Sequence, residues 1–364
     1  MNNIIDTHAH YSSRQFDADR DALMAALPGG GVAGVLECAT HSGDAPAAVA
    51  LAHRYPFVRA AVGIHPESLG EEDAPTVAVY GGDWRAELAA MRPFFEDPAV
   101  IAVGEIGLDH HWPLPAREQL ELFEAQLQLA AELDLPVSVH DREAHAETYA
   151  LLRQYKPRGV LHCYSGSAED AVWLAEQGMA LGFGGAATYK GAKRAAKVLA
   201  AVPRSAVVLE TDCPYMAPEP VRGRRNDSRN IAHVAVRIGE LWDMDPQQVL
   251  DLTAANARRV FGAWEGGTPP MPNIVCKPSI DRTEEPSMKA RIPKHREFII
   301  DFPKDVPAEK ADEGWDKLMG LMEDYKKSHN GQTVYSPTFI EDLEPAVKEL
   351  QAQYGFTYTI QNSK

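Results

Sequence analysis

The sequence lacks the features of a secreted or membrane-spanning protein. No run approaches the roughly 18 consecutive apolar residues of a membrane helix, and the amino terminus has no basic patch followed by an apolar segment. Cysteine is scarce and shows no CxxC spacing, with four residues scattered along the chain: Cys38, Cys163, Cys213 and Cys276. We therefore expect reduced cysteines in a cytoplasmic protein that does not associate with a membrane.

Positive charge is also in short supply. Lysine and arginine total 36 against 52 aspartate and glutamate residues, which gives a formal net charge of −16. Nonspecific wrapping of nucleic acid requires many neutralised phosphates, so this composition argues against it but leaves open a local basic site. The hydrophobic fraction of 45% is ample for a buried core and excludes global disorder.

The chain is longer than one β/α barrel needs. Its 364 residues allow one barrel with about 100 residues to spare. Between Gly262 and Pro293 the hydrophobic periodicity is lost, and clusters of glycine, proline and glutamate are typical of a linker. We predict a barrel at residues 1–265, a linker at 266–293 and a small accessory domain at 294–364.

Short β-branched runs alternate with helical stretches before this break, which is typical of a parallel sheet with helical crossovers. Eight such runs occur, the number that closes a TIM-like (β/α)8 barrel of the α/β class. A final helix near Pro246 to Phe261 would complete the ring. The predicted strands are Ile4–Thr7, Val35–Ala39, Val58–Ile64, Val100–Gly104, Pro136–His140, Gly159–His162, Ala180–Gly184 and Val207–Thr211.

Beyond the linker the pattern predicts a small β-α-β-α-β fold. Its three predicted strands are Phe298–Phe302, Val334–Tyr335 and Phe356–Ile360, and apolar helix faces run from Trp315 to Tyr325 and from Leu343 to Tyr354. No motif in this segment carries chemistry. Its role is left open between binding a protein partner and self-association.

Residues that can bind metal fall at the carboxyl ends of the predicted barrel strands. In a β/α barrel those ends form the active-site face, so residues distant in sequence meet at one mouth. Any one of the histidines, taken singly, is as well explained by an ordinary polar contact in the core or a loop. Their joint placement favours a metal centre, because burying carboxylates beside imidazoles is costly unless cations neutralise them. The six candidates are His8, His10, Glu105, His140, His162 and Asp212.

The number of candidate ligands favours two divalent cations. His8 and His10 are two residues apart, and this spacing in an extended strand points both imidazoles to one side. Four histidines and two carboxylates exceed what one tetrahedral ion needs, and Glu105 is the candidate bridge between two ions. Mixed nitrogen and oxygen ligands suit zinc or manganese better than magnesium, but the sequence does not choose among the three.

Five motifs follow one another along the predicted barrel: Asp6-Thr7-His8-Ala9-His10, Gly63-Ile64-His65-Pro66, Gly104-Glu105-Ile106-Gly107-Leu108-Asp109, His162-Cys163-Tyr164-Ser165-Gly166 and Glu210-Thr211-Asp212-Cys213-Pro214-Tyr215. Together they resemble the TatD family of metal-dependent deoxyribonucleases, in the amidohydrolase-type barrel superfamily. The resemblance implies a divalent-metal hydrolase that cleaves phosphodiester bonds of DNA, often as an exonuclease on single strands. It also implies that His8, His10 and Asp212 surround one ion, that His140 and His162 bind the other, and that Glu105 lies between them.

An arginine-rich loop follows the eighth predicted strand, and guanidinium groups suit phosphate oxygens. A solvated surface loop is the alternative interpretation. The loop departs from the family pattern, since Arg225-Asn226-Asp227-Ser228 stands where Arg-Asn-Glu-Pro is common. Asp109 is a candidate hydrogen-bond partner of a metal ligand. The candidate substrate-binding residues are His65, Arg224, Arg225 and Lys190.

The predicted reaction is hydrolysis of single-stranded DNA by an activated water. The cations lower the pKa of a bound water, Glu105 bridges them, and Asp212 accepts the proton. One alternative is a barrel hydrolase acting on a non-nucleic ester, lactone or amide, because the same centre activates water for many electrophiles. Another is an interaction protein whose barrel has lost activity, although the intact ligand set argues against it.

Overall fold

The computed structural model describes residues 1–264, 296–301, 317, 347–348, 350–354 and 357–362. The chain divides into two compact units, Met1–Met271 and Pro272–Lys364, and each is described by itself. None of the described helices is both long and apolar enough to span a bilayer.

The first unit is built around eight parallel strands, each paired with the next along the chain. A parallel bridge from Ala9 to Cys213 connects the first strand to the residues after the eighth, so the ring is nearly closed. The predicted TIM-like barrel is confirmed. The strands are β1 (Ile4–Ala9), β2 (Val32–Cys38), β3 (Val58–Val62), β4 (Val100–Asp109), β5 (Val137–Arg142), β6 (Gly159–Leu161), β7 (Met179–Phe183) and β8 (Val207–Leu209).

Helices connect the strands and surround the ring. The last one begins and ends as predicted, because Asp245 caps its start by accepting a hydrogen bond from the Gln247 amide and Gly262 ends it in the left-handed conformation. The helices are α1 (Arg20–Ala26), α2 (Ala45–Arg54), α3 (Pro75–Ala78), α4 (Trp84–Met91), α5 (Ala116–Leu133), α6 (His145–Tyr155), α7 (Ala168–Glu176), α8 (Lys193–Ala201), α9 (Ile231–Trp242) and α10 (Pro246–Phe261).

Residues around α10 cover the end of the barrel where the strands begin. The Trp264 indole donates to the carbonyl of Phe57, just before β3, and the Asn256 amide donates to the carbonyl of Val207 at the start of β8. Buried side chains from seven of the eight strands pack with α10 and Trp264 in one apolar cluster. The other end of the barrel, where the strands finish, is left for polar groups.

One strand differs from its predicted bounds in a way that matters for the site. The fourth strand was predicted to end at Gly104 but continues to Asp109, so Glu105 lies within β4 rather than after it. The pairing between β4 and β5 shifts register between Val103 and Ile106, and Gly107 then lies opposite His140. The placement of Glu105 therefore depends on this irregular pairing.

The second unit contains an antiparallel pair of strands, β9 (Arg296–Asp301) and β10 (Thr357–Asn362). These overlap the predicted strands at 298–302 and 356–360, and residues 350–354 are helical within the predicted helix at 343–354. The predicted strand at 334–335, and the predicted helix at 315–325 apart from residue 317, lie outside the described residues. The β-α-β-α-β organisation and the domain boundaries stay a prediction.

Gly107 permits the close approach of β4 to β5, and we predict that replacing it disrupts the site. Its φ of +147° is strained for other residues, and an added Cβ would lie 1.9 Å from the carbonyl oxygen of His140. Gly107→Ala should lower the free energy of unfolding by about 3 kcal/mol or more.

Gly178→Ala is the matched control, since Gly178 has a φ of +91° and open space around it. It should cost only about 1–2 kcal/mol. Equal losses in urea unfolding would show that the contact with His140 is unimportant.

Candidate metal centre

His8 lies near the end of β1 and His10 directly follows this strand, at the mouth of the barrel. The Nε2 atoms of His8 and His10 lie 3.1 Å apart, as expected for alternate residues of an extended segment. Asp212 Oδ1 lies 3.4 Å from His10 Nε2. The amide of Asp212 donates to the carbonyl of His8 at 2.9 Å, so the residues after β8 are held directly against β1.

The Glu105 carboxylate lies at the centre of the cluster, and its two oxygens face different imidazoles. Oε2 is 3.2 Å from His8 Nε2 and 3.5 Å from His10 Nε2. Oε1 is 3.1 Å from His140 Nδ1 and 3.0 Å from His162 Nε2. The structure therefore brings all six predicted ligands together, with one carboxylate between two groups of nitrogen atoms.

The cluster offers more than one set of atoms that could hold a cation. Within each of three groups, candidate ligand atoms from three residues lie within 4.8 Å of one another. Glu105 belongs to two groups and His8 to two, so the sets share members rather than forming separate sites. The groups are His8 with His10 and Asp212, His8 with Glu105 and His162, and His65 with Glu105 and His140.

Hydrogen bonds outside the cluster orient two of the imidazoles as ligands. His10 Nδ1 lies 2.8 Å from the carbonyl oxygen of Cys38, which can only accept, so Nδ1 carries the proton and Nε2 presents a lone pair. His140 Nε2 is 3.0 Å from the buried carboxylate of Asp109, so its Nδ1 lone pair points to Glu105. Lone pairs of neutral imidazoles aimed at one another repel, and a cation between them removes that repulsion. The residues present therefore fit a bound metal.

His65 differs from the other imidazoles in the position of its proton. Its Nδ1 accepts the backbone amide of Glu67 at 3.2 Å, so in the neutral ring Nε2 carries the hydrogen. That Nε2 lies 3.4 Å from Glu105 Oε1. His65 therefore presents a donor to the centre, which suits an anionic substrate better than a metal ion.

The electrostatics of the cluster call for positive charge. Burial alone would lower the pKa of His10 and of His140, but neighbouring carboxylates outweigh it and raise the pKa of each to about 10. Burial also opposes ionisation of Glu105, yet the surrounding imidazoles hold its pKa well below the usual range. Burial and the nearby His162 lower the pKa of His8 to about 4. Without a cation, protons on the imidazoles compensate the buried carboxylates, and metal ions would take over that role.

Three acidic side chains support the cluster of candidate ligands, and only one of them was singled out from the sequence. Asp109, predicted to contact a ligand, does bond His140. Asp6 was not singled out, although its buried carboxylate accepts bonds from the Thr211 hydroxyl and the Ser228 hydroxyl and joins β1 to the residues after β8. An acid inside a buried strand, two residues before a histidine ligand, was the available signal.

Glu210 is the second buried acid that the sequence analysis missed. Its Oε1 accepts the Cys163 amide at 2.5 Å and lies 4.0 Å from His162 Nδ1. Gly182 makes room for it, since an added Cβ there would lie 2.1 Å from Oε2. Burial raises the pKa of Glu210 to about 8. The carboxylate thus supports the backbone that follows His162.

The predicted substrate-binding residues fall into two groups. His65 lies in the cluster, whereas Arg225 donates two hydrogen bonds to Asp19, at 2.8 and 2.6 Å, and lies over the Phe16 ring. Lys190 and Arg224 are exposed and form no ion pair within the described part of the chain. Their roles stay predictions, and the geometry leaves Arg224 and Lys190 freer than Arg225 to meet an anion.

A barrel of eight parallel strands with imidazoles and carboxylates converging at the strand ends defines the class of metal-dependent barrel hydrolases. Comparison with known proteins identifies the family. Residues 5–262 match the model of the TatD related DNase family, and the chain belongs to that family. It is therefore a metal-dependent hydrolase acting on ester bonds.

Individual relatives align with the barrel along almost their whole length. The uncharacterized metal-dependent hydrolase YabD of Bacillus subtilis is 32% identical over 265 residues, which cover 71% of this chain and 98% of YabD. The 3'-5' ssDNA/RNA exonuclease TatD of Citrobacter rodentium is 33% identical over 268 residues, covering 71% and 98%. The crystal structure of the TatD homologue YjjV from Escherichia coli K12 superposes with a TM-score of 0.65 at 29% identity, covering 72% and 98%.

We predict that Asp109 strengthens metal binding through His140. Asp109→Asn removes the negative charge that polarises the imidazole, and should weaken metal affinity about 10- to 100-fold. Affinity is measured by competition with a chelator, for zinc and manganese in turn. The matched control is Asp97→Asn, because Asp97 also pairs with a histidine, His53 at 2.7 Å, but on the protein surface. Wild-type affinity in Asp109→Asn, with Asp97→Asn also unchanged, would contradict the assigned role.

Proposed function

We propose that this protein is a deoxyribonuclease that removes nucleotides from an end of single-stranded DNA with the help of two divalent cations. The observation that carries the proposal is the Glu105 carboxylate, whose two oxygens face separate groups of imidazoles at 3.0–3.5 Å. The name of the Citrobacter relative, a 3'-5' ssDNA/RNA exonuclease, supports the choice of substrate and of attack from an end.

Two cations suit the ligand set better than one. A single tetrahedral ion with one open position takes three protein ligands, and six are assembled here. Glu105 would bridge, with His8, His10 and Asp212 on one side and His140 and His162 on the other. Magnesium, manganese and zinc remain the candidates, and the imidazole nitrogens favour the last two.

The proposed chemistry is attack of water on a phosphodiester bond. Bound in this centre, divalent cations would lower the pKa of water and stabilise the charge that builds on the phosphate. Asp212 accepts the proton of the attacking water, since its carboxylate is the one at the centre that is both partly exposed and held in its ionised form. Burial opposes that ionisation, but the imidazoles of His10, His162 and His8 outweigh it and lower the pKa of Asp212. His65 Nε2–H donates to a phosphate oxygen.

The mechanism predicts that metal removal and loss of the Asp212 carboxylate each abolish cleavage. Metal-loaded protein should digest a labelled single-stranded oligonucleotide, and the chelated protein should not. Asp212→Asn should lower kcat by at least about a hundredfold, because it removes the proton acceptor. Asn tolerates the φ of +56° at this position.

Asp134→Asn is the control for that variant. Asp134 has a similar φ of +53° but ends α5, at the opposite end of the barrel from the metal centre. It should be fully active. Cleavage by a metal-free preparation, or wild-type turnover in Asp212→Asn of confirmed metal content, would refute the mechanism.

Arg224 and Arg225, in the loop after β8, are predicted to act differently. Arg224→Gln should raise KM for oligonucleotides and reduce the dependence of log(kcat/KM) on log salt concentration by about one unit, since one phosphate contact is lost. Arg225→Gln should leave this salt dependence unchanged and lower the melting temperature only slightly, because the exposed ion pair with Asp19 is lost. The reverse pattern would assign the phosphate contact to Arg225.

The alternative substrate class is a non-nucleic ester, lactone or amide. A parallel screen of such compounds, under the same metal conditions, discriminates it from the nuclease. A partner-binding or self-association role for the second unit stays a proposal of its own. It is tested by deleting residues 290–364 and comparing activity and mass in solution.

A further inference from the structure

A cavity of about 350 Å³ opens beside the metal centre, between the residues that follow β6, β7 and β8. We infer that it is a subsite for a nucleobase of the substrate, one that accepts any base. This inference rests on the proposed nuclease function and goes beyond it, because it names where a nucleotide next to the cleaved bond is bound.

Residues close in sequence to two candidate metal ligands form part of the cavity wall. Cys163 follows His162 directly, and Met216 lies four residues after Asp212. Both line the cavity, and their sulfur atoms are 3.7 Å apart. Gly182 and Gly184, on either side of the end of β7, line it as well. A group bound here can therefore belong to the same molecule as a phosphate held by the centre.

The lining is mainly apolar, and its buried tyrosine hydroxyl is already hydrogen-bonded. Apolar side chains come from the end of β7, the loop after it and α8, including Phe183, Ala187, Ala195 and Val198. The Tyr164 hydroxyl, at one edge, donates to the carbonyl of Ser167 at 2.7 Å. In this part of the lining, recognition would depend on contact with apolar side chains rather than on reading base edges.

Charge around the mouth indicates that the apolar group is attached to an anion. Arg194 lines the cavity and uses one nitrogen to donate to the Ser165 carbonyl at 2.9 Å, and its exposed position leaves other N–H groups for a ligand. Lys190 and Arg224 occupy the loops after β7 and β8 on the same side. The loop after β3, which is opposite in a ring of eight strands, carries the acids Glu67 and Glu71 together with Asp73.

This asymmetry favours a nucleobase over an acyl chain. A polyanion is attracted to the side of the mouth that holds the cavity and repelled from the other side. The volume is at the lower end of the range for small-molecule sites, which suits one base rather than a larger group. An acyl or alkyl group of a neutral ester would fill the same space but would gain nothing from the arginines and lysine.

The test compares single-stranded oligonucleotides that differ only in one base. One carries natural bases, and the others carry an abasic tetrahydrofuran residue on either side of the bond that is cleaved. For wild-type protein, one abasic position should lower kcat/KM about tenfold, the effect typical of losing one stacked base. All four bases at that position should be accepted within a few-fold of one another.

Filling the cavity should remove the difference in kcat/KM between the natural and the abasic substrate. Ala195→Leu should reduce kcat/KM for the natural oligonucleotide about tenfold and leave the abasic substrate unaffected. Ala200→Leu is the matched control, because Ala200 is exposed on the same helix and does not line the cavity. Ala192→Leu, also in the lining, replaces Ala195→Leu if thermal unfolding shows that the latter is not folded.

Several outcomes would overturn the inference. Equal cleavage of natural and abasic substrates by wild-type protein would exclude a base subsite while leaving the nuclease proposal intact, as would an equal loss on both substrates in Ala195→Leu. If metal-loaded protein cleaves no oligonucleotide but hydrolyses neutral esters, with a preference for acyl length that Ala195→Leu abolishes, both the nuclease function and the base subsite are refuted.

Discussion

The structure depends on one buried carboxylate that is surrounded by imidazoles. Glu105 is 4% exposed and has a nitrogen atom of each of five histidines within 3.5 Å. A buried charge is tolerated only when it is paired and hydrogen-bonded, and here the partners are groups that either carry protons or bind cations. Either way the imidazoles must point inward, so the rest of the barrel has to hold them against their mutual repulsion.

The barrel supplies that constraint through groups behind the ligands. The Cys38 carbonyl and the Asp109 carboxylate set the tautomers of His10 and His140, and the Ser138 hydroxyl lies 3.0 Å from His8 Nδ1. Asp6 joins β1 to the residues after β8, where a regular strand ladder is missing. The seam of the barrel thus lies between His8 and Asp212, and the Asp6 carboxylate adds to the backbone hydrogen bonds that hold the two together. The contacts that close the barrel at this point therefore also set the geometry of the site.

The ligands could be predicted from the sequence because each is a polar residue in or directly after an apolar strand. In a barrel, that local pattern is enough to place a residue at the mouth. The contacts that complete the site have no local pattern. Glu105 sits within β4 because of a register shift against β5, and the partner of Arg225 is Asp19, 206 residues earlier in the chain. The tautomer of His65 depends on a backbone amide, which no residue type encodes. Sequence reasoning therefore located the cluster of candidate ligands but not the hydrogen bonds that orient them.

A net charge of −16 and the proposed polyanionic substrate are compatible because the charges are distributed unevenly. Affinity for a phosphodiester strand depends on the local electrostatic field at the mouth. Basic side chains lie in the loops after β7 and β8, and acidic side chains lie in the loop after β3. The net negative charge weakens the long-range attraction of nucleic acid. The uneven distribution of charge orients a strand that reaches the mouth. A strand crossing the whole mouth would pass the acids, whereas a strand end entering from the basic side would not. Attack at an end rather than within a strand is thus the mode that this arrangement of charges favours.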